Sequence, residues 1–302
     1  MNQREQAQEH PREHLGRWAG PDDEQQYRAL EDELWREAFP TPPERLTVET
    51  EVGSTVVYHW PGTGVPVVLL HGMGATSLMW AGCITAMAGR EAYAVDTPGD
   101  VGRSTQRVAY RDAAHLAEWL DETLARLDGG PAHLVGASYG GWLALNQAVR
   151  APARLASLSL IEPVGLAEFR RARFMLSGLG MLVASRLPGP LRRKVAARLR
   201  LPVLMDKRVT RMATLGFRRH PFRLPPPAML SDAELAGIEL PTLVLLGAKS
   251  PIHRAKQVRD RVQALVPDAQ VEIVADSAHA LTISHPELAS ARITAFVDRV
   301  AS

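Results

Sequence analysis

Residues 132–149 read AHLVGASYGGWLALNQAV, and this stretch decides the fold. Its first part, AHLVGA, is a short buried-strand run, and its last part, WLALNQAV, has the apolar spacing of a helix. Between them stands Gly136-Ala137-Ser138-Tyr139-Gly140, followed by Gly141. A serine on so tight a strand-to-helix turn needs small neighbours two positions away on either side, and Gly136 and Gly140 meet that need. The Ser138 hydroxyl is then raised above the sheet at a helix N-terminus, where the helix dipole favours developing negative charge. A glycine-rich turn without chemistry has similar residues; the strand before it and the helix after it favour a nucleophile.

Working outward, the same apolar runs recur in PVVLLHG, EAYAVDTPG, LASLSLIEP, TLVLLGAKS and VEIVAD. Such runs read as strands buried on both faces, and the helical stretches between them (AAHLAEWLDETLARL, GGWLALNQAVRAP) imply a mostly parallel sheet covered by helices. Ahead of them, LTVETEV and TVVYHW alternate as half-buried antiparallel strands do. Residues 23–39 carry Tyr27, Leu30, Leu34 and Phe39 at near-helical spacing, with acids in front and Pro40 behind. Residues 1–22 read as a mobile polar tail. The expected organisation is this tail, a first core part over 23–162, an arginine-rich helical cap over 163–235, and a second core part over 236–302.

Three further signals surround Ser138. His71-Gly72-Met73-Gly74 follows the strand PVVLL, and its glycines let backbone N–H groups face the serine. The candidate oxyanion donors are the N–H groups of Met73 and Tyr139, with His71 bracing the loop. A base must activate the hydroxyl. His279, just after the last predicted strand, suits this best among the 10 histidines. His253 lies further into its loop, His285 belongs to a His-Pro turn, and His133 precedes the strand that leads to Ser138. Gly72, Trp80 and Trp142 are candidate pocket residues, with Met73, Met79, Met175 and Met181 as further apolar candidates, although each is also a natural core residue. Cys83 reads as a small buried hydrophobe.

On HGMG, GASYGG and AHALTISHPE, the chain resembles the α/β-hydrolase fold superfamily, in particular a bacterial carboxylesterase-like branch with a helical cap. Residues 96–104, DTPGDVGRS, also resemble that family's D-x-P-G-x-G-x-S loop with one extra residue. The resemblance implies an eight-stranded, mostly parallel sheet and a serine hydrolase acting on an ester. It also exposes a departure. Where most relatives hold the triad aspartate, after TLVLLGAKS, this chain has Ser250, and a hydroxyl cannot stabilise imidazolium as a carboxylate does. Glu162, ending the strand LASLSLIE, is the candidate acid, because some relatives place it there. The alternative reading of Glu162 is a cap on the entry to the insertion or a partner for an arginine. Asp276 and Asp100 are the other candidates. Hydrolysis of a thioester or lactone, a non-hydrolytic cyclase or lyase on the same scaffold, and a binding homologue without turnover remain alternatives.

Composition narrows the field further. The 302 residues are 46% hydrophobic and 23% charged, which is ordinary for a globular chain and excludes wholesale disorder. The single cysteine excludes an internal disulfide and a cysteine zinc cluster. No metal or organic cofactor is expected. No apolar run reaches the length of a membrane span, and the polar N-terminus lacks a signal-peptide core, so cytoplasmic residence is expected. Net charge is only +2, yet residues 164–223 hold 13 arginines and two lysines against two acids. That basic segment either pairs with an acidic core or attracts an anionic or carrier-protein-bound acyl substrate. Nucleic-acid binding is not expected, since no recognition module or interleaved aromatics accompany the arginines.

Overall fold

The computed structural model describes residues 15–127, 130–199 and 207–301. Helix α1 (Pro21–Ala38) opens with proline at its first position and three acids in its first turn, where the helix dipole favours them. Strands β1 (Glu44–Glu49), β2 (Gly53–Trp60) and β3 (Thr63–Leu70) follow, then a short 3₁₀ turn and α2 (Ala81–Thr85). Next come β4 (Arg90–Val95), β5 (Thr105–Gln106), α3 (Ala113–Leu124), β6 (Ala132–Ala137), α4 (Tyr139–Arg150) and β7 (Leu155–Ile161). Four helices then intervene: α5 (Arg171–Ser185), α6 (Gly189–Leu199), α7 (Lys207–Arg219) and α8 (Asp232–Ala236). The chain closes with β8 (Thr242–Gly247), α9 (Ala255–Leu265), β9 (Gln270–Val274), α10 (Leu281–Ser284) and α11 (Pro286–Ala301).

The sheet runs β1-β2-β4-β3-β6-β7-β8-β9, with β5 paired to β2 as a two-residue ninth strand beyond the eight expected. Pairing is antiparallel around β2 and parallel from β4 to β9. Strand side chains alternate between two cores. Val68, Leu70, Leu134, Leu158, Leu160, Val244 and Leu246 meet Trp119, Leu143 and Val258 of α3, α4 and α9 on one face. Val67, Leu69, Val135, Ile161, Leu243 and Leu245 meet Trp35, Cys83, Ile293 and Phe296 of α1, α2 and α11 on the other. Burial on both faces is why these strands read as unbroken apolar runs. The run VEIVAD departs from that expectation: β9 is the last strand of the sheet, with Gln270 exposed and Val271 to Val274 only partly buried.

One expectation about the flanks changes. Residues 1–14 lie outside the described residues, but Leu15–Gly20 dock rather than trail. Gly16 N–H donates to Gln106 Oε1 at 2.8 Å, Ala19 N–H donates to the Arg219 carbonyl at 2.8 Å, and the Trp18 ring lies 4.7 Å from that of Tyr27. Trp18 supplies the apolar anchor that the surrounding polar sequence hides. Between β7 and β8 the described residues form helices and no strand. There α7 packs Met212 against Tyr27, Leu30 and Leu34 of α1. Ion pairs Arg208–Glu37 and Arg219–Asp23 join the same two helices.

Candidate active site

The C-terminal ends of β4, β3, β6, β7, β8 and β9 line one edge of the sheet, and Met73, Ser138, Glu162 and His279 each follow one of these strands. Ser138 is the turn between β6 and α4. Its backbone sits at φ 53°, ψ −111°, a conformation that costs a non-glycine residue roughly 1–3 kcal/mol. The strain persists because the surroundings over-determine it. Ser138 N–H donates to the Ile161 carbonyl at 2.9 Å, and a Cβ on Gly136 would lie 2.2 Å from the Gly140 carbonyl oxygen. A Cβ on Gly140 would meet the Leu70 carbonyl oxygen at the same distance, 2.2 Å. Both glycines are therefore demanded by backbone packing, as the motif implied.

His279 Nε2 lies 2.9 Å from Ser138 Oγ, and His279 Nδ1 lies 3.3 Å from Glu162 Oε2. Glu162 is only 1% exposed, and Gly247 N–H donates to its other oxygen, Oε1. With the carboxylate on the Nδ1 side, that nitrogen carries the proton and Nε2 is left to accept from the serine. Glu162 also has a positive φ, 51°, and it shares that feature only with Ser138 among the described non-glycine residues. Backbone strain thus gathers at the two residues whose side chains flank the imidazole.

The loop after β3 is held open by two buried side chains. His71 Nε2 accepts the Thr97 N–H at 3.0 Å, so its Nδ1 carries the proton and donates to the Gly72 carbonyl at 2.9 Å. Asp100 accepts Gly74 N–H at 3.0 and 3.1 Å and Val101 N–H at 2.7 Å. Gly72 N–H faces Met79 Sδ at 3.4 Å. The N–H groups on both sides of Met73 are thus committed, and Met73 N–H is the loop's candidate donor toward the serine. Tyr139 N–H is the first of α4 and has no acceptor within the helix. Gly72 sits beside Ser138: a Cβ there would lie 3.3 Å from Ser138 Cβ.

A model of the alpha/beta hydrolase family matches residues 67–292, a span that contains the elbow, the loop, the carboxylate and the histidine. The chain belongs to the alpha/beta hydrolase family. It is 28% identical to carboxylesterase YbfK of Bacillus subtilis over 287 residues, which cover 90% of this chain and 93% of that one. It is 25% identical to a second Bacillus subtilis carboxylesterase, nap, over 85% of this chain and 88% of the relative. Among solved structures, carboxylesterase CesB (YbfK) from Bacillus subtilis superposes with a TM-score of 0.76 at 24% identity, covering 91% of this chain and 98% of that one. Naproxen esterase from Bacillus subtilis superposes with a TM-score of 0.77 at 23% identity, covering 92% of this chain and 99% of that one. At these identities the two superpositions speak for the fold.

Several candidates fall elsewhere in this alpha/beta hydrolase. Asp276 is exposed and pairs with Lys249 at 3.1 Å. Asp100 anchors the loop after β3 through Gly74, and burial pushes its carboxyl up to about 6. Ser250 is buried, and its hydroxyl has no partner among the described residues. Trp80, a candidate pocket residue, is instead fully buried in the core with Cys83 and Leu281, because the 3₁₀ turn points it inward. Trp142 is buried beneath the chain that returns from α7, donating its indole N–H to the Ala228 carbonyl at 2.9 Å. Burial pushes the Cys83 thiol up to about 12, as befits an inert core residue. His133 is buried at the other end of β6 from the serine, hydrogen-bonded to Ser157 at 2.7 Å, and burial lowers it to about 4. His285 bonds Ser284 Oγ at 2.8 Å. Met175 is exposed on α5; the side chain of Met181 lies outside the described residues.

Sequence reasoning missed three things here: Asp100 as the anchor of Gly74, the rings of Phe217 and Phe222 beside that glycine, and the approach of His253 to Glu162. A Cβ on Gly74 would lie 3.1 Å from Phe217 Cζ and 3.4 Å from Phe222 Cζ. The extra residue in DTPGDVGRS was the one available signal for Asp100.

Proposed function

We propose that the protein is a serine carboxylesterase acting through an acyl-enzyme, with Ser138 as nucleophile, His279 as general base and acid, and Glu162 as the triad acid. The observation that carries this reading is the unbroken series Ser138 Oγ, His279 Nε2, His279 Nδ1, Glu162 Oε2, with spacings of 2.9 and 3.3 Å. Kinship with carboxylesterases over nine-tenths of the chain supports ester as the bond cleaved.

Ser138 Oγ attacks the ester carbon as its proton passes to His279 Nε2. The carbonyl oxygen becomes an oxyanion, met by Met73 and Tyr139 N–H. His279 returns the proton to the alcohol oxygen as the C–O bond breaks, leaving acyl-Ser138. Water then gives its proton to His279 and attacks the acyl carbon, releasing the acid and restoring the hydroxyl. Glu162 stabilises the imidazolium in both halves. No step calls on a metal or organic cofactor.

The substrate is best read as a small-molecule ester with an apolar portion, since Phe217, Phe222 and the partly exposed Met73 gather at the oxyanion loop. Arg208 and Arg219 are paired with acids of α1, so part of the basic excess is internal. That favours a small molecule over a carrier-bound acyl chain. Turnover of short p-nitrophenyl esters tests the reading: wild-type protein should show a burst of nitrophenol followed by steady release, and Ser138→Ala should show neither. Steady hydrolysis by Ser138→Ala at the wild-type rate would overturn it.

A further inference from the structure

Glu162 has a second imidazole against it. His253 lies on the loop that follows β8, the strand next to β7, so the residues beyond these two strand ends stand side by side. This loop reads Ala248-Lys249-Ser250-Pro251-Ile252-His253-Arg254 and contains no carboxylate. His253 Nε2 lies 3.6 Å from Glu162 Oε2, the same oxygen that faces His279. The His253 side chain is 4% exposed, and neither ring nitrogen has a hydrogen-bond partner among the described residues. A buried imidazole with no other partner, aimed at a buried carboxylate, is a donor whose acceptor is within a short side-chain adjustment, and such contacts tighten when a reaction begins. The loop is fixed from its other side as well, because the Ile252 carbonyl accepts Arg170 N–H at 2.9 Å at the start of α5.

We propose that His253 is a positioning residue: its neutral ring donates Nε2–H to Glu162 Oε2 and, with Gly247 N–H on Oε1, holds the carboxylate in line with His279. The proposal rests on the triad reading above and adds to it. The charge count explains why this second ring must stay neutral. One carboxylate compensates one imidazolium, and the reaction requires that one to be His279. Burial lowers His253 below the ordinary imidazole range, with the Glu162 charge acting against burial and His279 acting with it. Among the described residues, Glu162 and His279 are the charged groups that shift the ring.

The test compares His253→Phe, which keeps ring volume and removes the donor, with His253→Gln, which supplies a neutral donor. Phe should lower kcat about 10–100-fold, the loss typical of a displaced catalytic group, while KM stays within about twofold. Without the donor the Glu162 carboxylate is less stabilised and binds a proton more readily. It also pairs more strongly with the His279 imidazolium. Both effects move the acid limb of the kcat/KM profile to higher pH in His253→Phe, and His253→Gln should restore most of kcat and the wild-type limb. Thermal melts establish that each variant is folded. The downfield proton resonance of the His279–Glu162 pair, assigned by its loss in His279→Ala, gives a readout that needs no turnover. It should weaken or move in His253→Phe and return in His253→Gln. Wild-type kcat, pH profile and resonance in His253→Phe overturn the proposal, as does His253→Gln impaired as severely as Phe. Failure of the esterase reading would show separately, as a wild-type protein without ester turnover, and the resonance comparison would still decide the role of His253.

Discussion

Replacing Asp100 with Asn should make stability depend on pH in a way that reports directly on the loop after β3. Asp100 is buried, and desolvation lifts its carboxyl from the ordinary 3.8 to about 6 despite two backbone donors and nearby His71. A group raised in the folded state favours folding where it is protonated. Its contribution is therefore fully present below about pH 4 and is lost as pH rises through about 6. Above that, the ionised carboxylate weighs against the fold by about 3 kcal/mol, since each tenfold change in proton affinity is worth about 1.4 kcal/mol. Asn cannot ionise, yet its carbonyl oxygen can still accept Val101 N–H at 2.7 Å and Gly74 N–H at 3.0 Å. Urea denaturation of both proteins at pH 4, 5, 6 and 7 isolates the effect, because whatever else Asn changes is common to every pH. Relative to wild type, the variant should gain roughly 2–3 kcal/mol between the ends of that series. A difference that is flat with pH would mean the carboxyl is not raised. A difference that falls would mean the ionised form is the one the loop stabilises. Either result refutes the reasoning.

Other perturbations act on single links. Glu162→Gln leaves an acceptor for Gly247 N–H but turns an amide donor toward His279 Nδ1, favouring the tautomer that cannot take the serine proton. Ester turnover should fall about 10³–10⁴-fold with little change in melting temperature. Ser138→Gly removes the side chain from a backbone at φ 53°, so it should be inactive yet more stable by roughly 1–2 kcal/mol in urea melts. Gly136→Ala places a Cβ 2.2 Å from backbone oxygen, and its melting temperature should drop by the equivalent of about 3 kcal/mol or more, together with activity.

What could be read from the residues follows from what each kind of signal encodes. β3, β6, β7 and β8 were legible because burial on both faces leaves no polar residue to break the run, whereas the edge position of β9 depends on strand order. Ser138 was legible because backbone packing, not side-chain chemistry, demands Gly136 and Gly140. The expectation for Glu162 grew from the absence of a carboxylate near Ser250, and β7 and β8 are adjacent, so the residues beyond their two ends share one neighbourhood. Asp100, His253 and Trp80 were misread or passed over for a common reason: their roles depend on which way a loop or turn side chain points. Tertiary packing sets that direction, and no periodicity records it. The docking of Trp18 onto Tyr27 and His220 is a contact of the same long-range kind.

The central claim is that His279 makes the Ser138 hydroxyl a nucleophile. Intact-mass and peptide-mapping analysis after exposure to a fluorophosphonate tests it most directly. One phosphonyl group should attach, on the peptide that contains Ser138. The adduct should vanish in Ser138→Ala, and it should form orders of magnitude more slowly in His279→Ala. An adduct on a different serine, or undiminished labelling of Ser138 without His279, would contradict the account.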